Sequence, residues 1–190
     1  MSIEAAIAAQ LQAGRLAEAT TEAIRGYGPE VLGYLGRVLG CEDAAADAFS
    51  AFAERLWRSI GDFRGASSFR TWVYRLAWSA AQDVVRDPYR KRGRRFLSNE
   101  ASALVAVAAS SWRRSSLREG LDRLRRRLRP CEQTLLVLRV GRGFSWREVA
   151  EVLATPGSPP PSEAALRKRF EWLKAKLRRM ALDEGLLQAA

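Results

Sequence analysis

The stretch from Gly61 to Trp78 holds the residues best suited to chemistry on a polyanion. It reads Gly-Asp-Phe-Arg-Gly-Ala-Ser-Ser-Phe-Arg-Thr-Trp-Val-Tyr-Arg-Leu-Ala-Trp. A short glycine-bearing loop carries Phe63 and Arg64 and runs into a helical pattern that interleaves arginines, hydroxyls and aromatics. Aromatic faces stack on unpaired bases, and guanidinium groups neutralise phosphates. The same stretch also carries a plain core stripe, because Phe69, Trp72, Val73, Leu76 and Ala77 recur at helical spacing. Its neighbours must decide how the residues divide between these two uses.

Other chemistries lack their reagents. The chain has 190 residues and no His, so the usual imidazole base and zinc ligand are absent. Its two cysteines, Cys41 and Cys131, form no CxxC and read as small buried apolar residues in a reducing compartment. There is no Gly-rich phosphate loop and no clustered carboxylate set of metal-site type. No catalytic residue, metal or cofactor is therefore expected, and the protein is not read as an enzyme. Glu4 near the start and a short apolar stretch around Ile7 argue against a signal peptide, and no apolar run reaches the ~20 residues that span a bilayer. A cytoplasmic protein without membrane contact is expected.

Charge points to the partner. The net charge is +11, but residues 1–60 hold five Lys/Arg against eight Asp/Glu, and residues 61–190 hold 27 against 13. A third of about −3 is thus joined to a remainder of +14. That asymmetry suits nucleic acid on one side and a protein surface on the other.

The elements that would position these groups are helical throughout, with no alternation worth reading as a strand. Residues 1–18 are Ala-rich and form a helix or a frayed arm. Pro29 suits a first helical position, after which Val31, Leu32, Leu35, Val38 and Leu39 share a face. Glu42 to Trp57 repeats the pattern with Ala45, Phe49, Phe52, Ala53 and Leu56. The stripe from Phe69 runs to Val84, and Asp87-Pro88 stops it. Residues 19–96 therefore form one three- or four-helix domain. Residues 97–114 are an Ala/Ser-rich linker. Residues 115–182 form a second domain, opening on Leu117, Leu121, Leu124 and Leu128, and residues 183–190 are a tail. The expected fold class is all-α, with two small helical domains, a helical bundle and a helix-turn-helix, joined by a linker.

In the second domain, Ser145-Trp146-Arg147-Glu148 spells a capping box. A proline-rich turn over residues 155–161 precedes Ser162, which caps a last helix with Leu166, Phe170, Leu173 and Leu177 inward. This is the order of a helix-turn-helix reader, though its turn is longer than the usual three or four residues. The first half of that helix offers Ser162, Ala165, Arg167, Lys168, Arg169 and Trp172 to a major groove. From Arg167 to Arg179 there are seven Lys/Arg against one acid, whereas a merely solvated helix mixes signs to form i,i+4 pairs. Arg86, Arg90, Lys91 and Arg92 begin a second basic run suited to phosphates. The helix bearing Asp43, Asp47, Ser50, Glu54 and Trp57 is acidic, would repel DNA, and is read as a protein-docking face, with Phe49, Phe52 and Trp57 available as aromatic anchors, although core packing fits these aromatics equally well.

Together these residues resemble a known family. Asp43-Ala44, Asp47, Phe52 and Leu56-Trp57-Arg58, followed by Phe63-Arg64-Gly65, Ser67-Ser68-Phe69-Arg70-Thr71-Trp72-Val73-Tyr74-Arg75-Leu76-Ala77, resemble region two of extracytoplasmic-function sigma factors of the sigma-70 family. Residues 121–180 are similar to region four of the same group. The resemblance implies a transcription-initiation factor that directs RNA polymerase to promoters by reading two elements and nucleating melting. Phe63, Arg64, Gly65, Ser67, Ser68, Arg70 and Arg75 would hold the minus-ten element, with one non-template base flipped into the loop. Ser162 to Trp172 would read the minus-thirty-five element. Asp43, Asp47, Ser50, Glu54 and Trp57 would dock on the clamp helices of core polymerase, region four would meet its flap, and an anti-sigma protein is an implied partner. Ala46, Ser50 and Ala51 stand where relatives usually place an acidic pair and a glutamine. They motivate the alternative, a DNA-binding regulator with this fold that does not engage core polymerase.

Overall fold

The computed structural model describes residues 2–86, 120, 123–155 and 157–186, and all of its described regular structure is helical. The first half contains α1 (Ile3–Gln12), α2 (Leu16–Leu39), α3 (Glu42–Ser59), a 3-10 turn (Ile60–Asp62) and α4 (Phe69–Arg86). The second contains α5 (Pro130–Leu136), a π-helical turn (Val137–Gly141), α6 (Trp146–Val152) and α7 (Glu163–Asp183).

Helix α2 departs from the expectation at Pro29. The proline lies inside the helix rather than at its start. The reason is the apolar stripe on both sides of it: Ala19, Ala23 and Tyr27 before, Val31, Tyr34, Leu35 and Val38 after, all buried. Burial of that continuous face outweighs the one backbone hydrogen bond a mid-helix proline removes. The N-terminal segment is likewise no loose arm, since Ile7 is buried in the main core.

Helices α2, α3 and α4 close the first bundle around Tyr34, Phe52, Leu56 and Val73, each fully buried. Arg55 ties α3 to α4 by bonding Ser79 at 2.9 Å and pairing with Asp83. In the second domain, Pro130 begins α5 as its first residue, and Glu132 caps the helix by accepting from Arg129 N at 2.8 Å. The capping box expected at Ser145 forms. Ser145 Oγ accepts from Glu148 N at 3.3 Å and Glu148 accepts in return from Ser145 N at 2.8 Å. Helix α7 turns Leu166 and Leu173 inward, with Phe170 stacked edge-on against Trp146 of α6 at 5.5 Å. Cys41 is half-buried, but Cys131 is exposed in the first turn of α5, not the buried small residue expected. A cysteine placed at the mouth of a short helix points away from the core that its neighbours Thr134 and Leu135 fill.

Helix α4 sits between the two halves. Phe69, Trp72, Val73, Ala77 and Ala80 face the first bundle, while Thr71, Tyr74 and Trp78 are buried on a second side. The second domain supplies that burial, packing α6 on α4 and α5 on α2.

Candidate nucleic-acid and polymerase interfaces

The loop that joins α3 to α4 is shaped by three local devices. The 3-10 turn delivers Phe63 with extended backbone. Gly65 then takes φ of 69°, a left-handed conformation that a side chain would strain. Ser68 caps α4, its Oγ accepting from Thr71 N at 3.1 Å. The result leaves Arg64, Gly65 and Ser68 exposed and Ser67 half-exposed. Phe63 is half-buried, resting on Phe69 at 5.1 Å and Trp72 at 5.3 Å between ring centroids. It is fixed by those rings yet not covered, which is the state an aromatic platform for one base requires. Stacking of an unpaired base on such an aromatic is worth ~1–3 kcal/mol in general.

Arg70 is placed elsewhere. Its guanidinium pairs with Glu30 at 2.5 Å, donates to the Arg142 carbonyl at 3.2 Å and lies over the Phe144 ring at 4.6 Å. Arg142 reaches the same Glu30 carboxylate at 3.3 Å, and Tyr74 donates to it at 2.9 Å. Burial alone would raise the Glu30 carboxyl. The hydrogen bonds from Arg70 and Tyr74 and the Arg142 charge outweigh it and hold the group below its usual range. Around this cluster, Tyr34 meets Thr134 at 3.2 Å, Tyr74 stacks edge-on against Phe144 at 5.0 Å, and Thr71 donates to Glu148 at 3.3 Å. Of the three arginines expected at the minus-ten strand, Arg64 and Arg75 are exposed, while Arg70 lies in the contact between the domains. The residues that receive it, Glu30, Arg142 and Phe144, were not singled out from the sequence. A signal existed. Trp72, Val73 and Tyr74 in succession cannot share one face of a helix, and a helix apolar on more than one side has a second burying partner.

On α3, Asp43, Asp47, Ser50, Glu54 and Trp57 are all exposed. Their steps of four, three, four and three residues align them on one helical face. Trp57 is 60% exposed, a large indole held in water without a covering group. Phe52 and Phe49, expected as further anchors, turn inward: Phe52 is fully buried and Phe49 stacks on it at 5.7 Å. The surface thus carries one aromatic anchor, not three.

On α7, Ser162 caps the helix and accepts from Ala165 N at 3.2 Å. Lys168, Arg169 and Trp172 are exposed, Trp172 by 73%. With Ala165 they line an open groove of ≈ 1670 Å³ that Arg129 and the end of α4 at Trp78 also border. Arg167 leaves this face and pairs with Glu163 at 2.8 Å. Arg86 is exposed and bonds Gln82 at 3.0 Å. Arg90, Lys91, Arg92 and the expected linker lie outside the described residues. No group of acidic, Cys or His side chains that could hold a metal occurs among the described residues, and none of their helices is long and apolar enough to cross a membrane.

Two helical units, one with an open loop beside Phe63 and the other with a basic helix behind a capped turn, form an arrangement suited to handling DNA. Comparison with known proteins makes the class specific. Residues 23–95 match the Sigma-70 region 2 family. The RNA polymerase sigma factor CarQ of Myxococcus xanthus is 26% identical over 157 residues, 83% of this chain and 88% of that protein. The RNA polymerase sigma-H factor of Pseudomonas aeruginosa is 27% identical over 143 residues, 68% of this chain and 72% of its own length. Among solved structures, CnrH in complex with the cytosolic domain of CnrY shares the fold, with a TM-score of 0.61 at 22% identity over 96% of this chain and 99% of that one. The chain is thus similar over most of its length to RNA polymerase sigma factors, and its residues 23–95 to their region 2.

Proposed function

We propose that this chain is the specificity subunit that brings bacterial RNA polymerase to a set of promoters and starts their melting, with the two DNA elements divided between its domains. The observation that carries the reading is the region-two match over residues 23–95, laid on a fold in which loop 63–68 stands open beside Phe63. It acts as a regulatory subunit rather than an enzyme, in the cytoplasm where polymerase and chromosome meet. The exposed α3 face of Asp43, Asp47, Ser50, Glu54 and Trp57 docks on the clamp helices of core polymerase, and region four meets the flap. Phe63, Arg64, Gly65, Ser67, Ser68 and Arg75 hold the minus-ten strand, joined by Arg70 once the domains part. Arg86, Arg90, Lys91 and Arg92 add phosphate contacts. Ser162, Ala165, Arg167, Lys168, Arg169 and Trp172 read the minus-thirty-five duplex.

Melting needs no covalent step. It needs binding energy for an unpaired base to offset an unstacking cost of a few kcal/mol, and one stacked base at ~1–3 kcal/mol is of that size. A protein inhibitor of the anti-sigma kind belongs to this reading, since the structurally similar CnrH was solved with the cytosolic domain of CnrY. The test is reconstitution with core polymerase, then run-off transcription from promoters recovered by sequencing of bound chromosomal DNA. Retention of core polymerase with specific transcripts is expected. DNA binding without any core association would leave only a DNA-binding regulator.

A further inference from the structure

Helix α1 lies against the loop that the proposed function assigns to base capture. Ser2 caps it, accepting from Ala5 N at 3.2 Å, and Ile7 anchors it at 1% exposure. It packs on α2 with Ile3 over Gly26: a Cβ there would stand 1.5 Å from Ile3 Cδ1, so the Ile3 side chain would have to shift. Its far contact is with the first turn of α4. Glu4 Oε1 accepts from Arg70 N at 3.2 Å and from the Tyr27 hydroxyl at 3.2 Å. Between α1 and the loop is an open cleft of ≈ 500 Å³, walled by Glu4, Ile7, Ala8 and Leu11 on one side and by Phe63 and Ser67 on the other. That volume lies within the ~300–1,000 Å³ of sites that enclose small organic groups.

We propose that α1 is the second wall of the base-capture cleft, and that Glu4 on it favours an unpaired base bearing an exocyclic amine. The inference rests on the reading of loop 63–68 as the base-capture element. The occupant is a base in single-stranded DNA because the parts of the cleft match its parts. Phe63 offers a ring to its face, Ile7, Ala8 and Leu11 an apolar wall to its other side, and exposed Arg64 a charge to its phosphate. Both Glu4 hydrogen bonds use Oε1. The other carboxylate oxygen accepts an amino group, as acidic side chains do from cytosine N4, while the carbonyl edge of thymine has no donor to give at the corresponding position.

The test is fluorescence anisotropy of the full chain with oligo-dC and oligo-dT dodecamers at neutral pH. The native protein is expected to hold oligo-dC several-fold tighter. Ala8→Trp fills the cleft from an exposed position and is expected to weaken both dodecamers about tenfold with unchanged circular dichroism. Gly26→Ala, which displaces the Ile3 side chain that seats α1, is expected to act in the same direction. Glu4→Gln is expected to level the preference between the two. If Phe63→Ala weakens binding while Ala8→Trp and Gly26→Ala do not, α1 is not a wall of the site and the loop reading survives. If Phe63→Ala also changes nothing, the loop reading itself falls. An oligo-dC preference that persists in Glu4→Gln overturns the role given to Glu4.

Discussion

Arg142→Ala tests whether the two domains are held together by the cluster at Glu30. Arg142 makes two contacts with that residue, one to the carboxylate at 3.3 Å and one to its main-chain carbonyl at 3.3 Å. Hydrogen bonds to charged groups contribute about 1.5–3 kcal/mol, and both of these are long, which favours the lower end. Arg70 still pairs with Glu30 in the variant. No carboxylate is left orphaned, so the larger penalty of about 3–5 kcal/mol for a broken buried pair does not apply. The expected loss is about 1.5–2 kcal/mol, a ten- to thirty-fold shift of the closed–open equilibrium. The chain supplies its own labelling sites, since Cys41 lies in the first bundle, Cys131 in the second domain, and neither is paired. Energy transfer between dyes on the two cysteines, followed through a urea titration, should fall at lower denaturant in Arg142→Ala than in the native chain. Arg147→Ala is the control, because Arg147 is exposed and pairs with Glu151 on its own helix at 3.2 Å. The same opening midpoint in the native chain and in Arg142→Ala would refute the reasoning.

Phe63→Ala should leave duplex promoter binding intact and lower open-complex formation by roughly 5- to 150-fold, the loss of one stacked base at ~1–3 kcal/mol; permanganate footprinting separates the two steps, and equal loss in both counts against the division. Trp57→Ala should weaken core-polymerase binding by about thirty-fold, as expected of an exposed aromatic hot spot worth about 2 kcal/mol, with DNA binding by the free chain unchanged in a fluorescence titration. Lys168→Ala and Arg169→Ala should each flatten the slope of log affinity against log salt for the minus-thirty-five duplex by about 0.9, and an unchanged slope would remove them from the phosphate contacts. Glu30 and Glu148 both have carboxyls held below their usual range. Burial opposes this shift, and hydrogen bonds from Arg70 and Tyr74 at the first and from Ser145 at the second overcome it. A depressed pKa contributes stability that is present above the unfolded value, ~4.3, and is lost as pH falls through the folded one. Thermal unfolding should therefore be flat from neutral pH down to about 5 and weaken below about 4, and Glu30→Gln should reduce that acid sensitivity.

What the sequence made legible was local. The capping box at Ser145, the stripe of α3 and the basic bias of α7 depend on residues three or four apart, and each is present in the fold. Pro29 misled because a proline is a local signal, and the apolar face that overrides it extends over the whole of α2. Phe49 and Phe52 stayed open between anchor and core for a related reason: an aromatic on an acidic helix does not state which side it faces until the fold sets Phe49 beside Gly28 and against Phe52. Arg70 shows the limit most clearly. Its type and position match a strand-binding arginine, but its partners Glu30 and Arg142 lie 40 and 72 residues away, and no spacing rule connects them.

Helix α4 is where these demands meet. Its N-terminus carries the loop with Phe63, one face closes the first bundle through Phe69, Trp72 and Val73, and another receives the second domain through Thr71 and Tyr74. A helix with so many duties cannot also keep a free arginine at Arg70 in the closed form, because the guanidinium has a fixed fork and its two directions are taken by Glu30 and the Arg142 carbonyl. The positive charge is not lost by this arrangement. It is stored against one carboxylate, Glu30, which also holds Arg142. If the domains part on the promoter, as the proposed function requires, Arg142 leaves with the second domain, along with its carbonyl and the Phe144 ring. Arg70 then keeps Glu30 alone, and a phosphate that approaches loop 63–68 competes with one carboxylate rather than with a carboxylate, a carbonyl and an aromatic face. On the proposed function, opening and strand capture would then be coupled through a single side chain, each favouring the other by the same free energy.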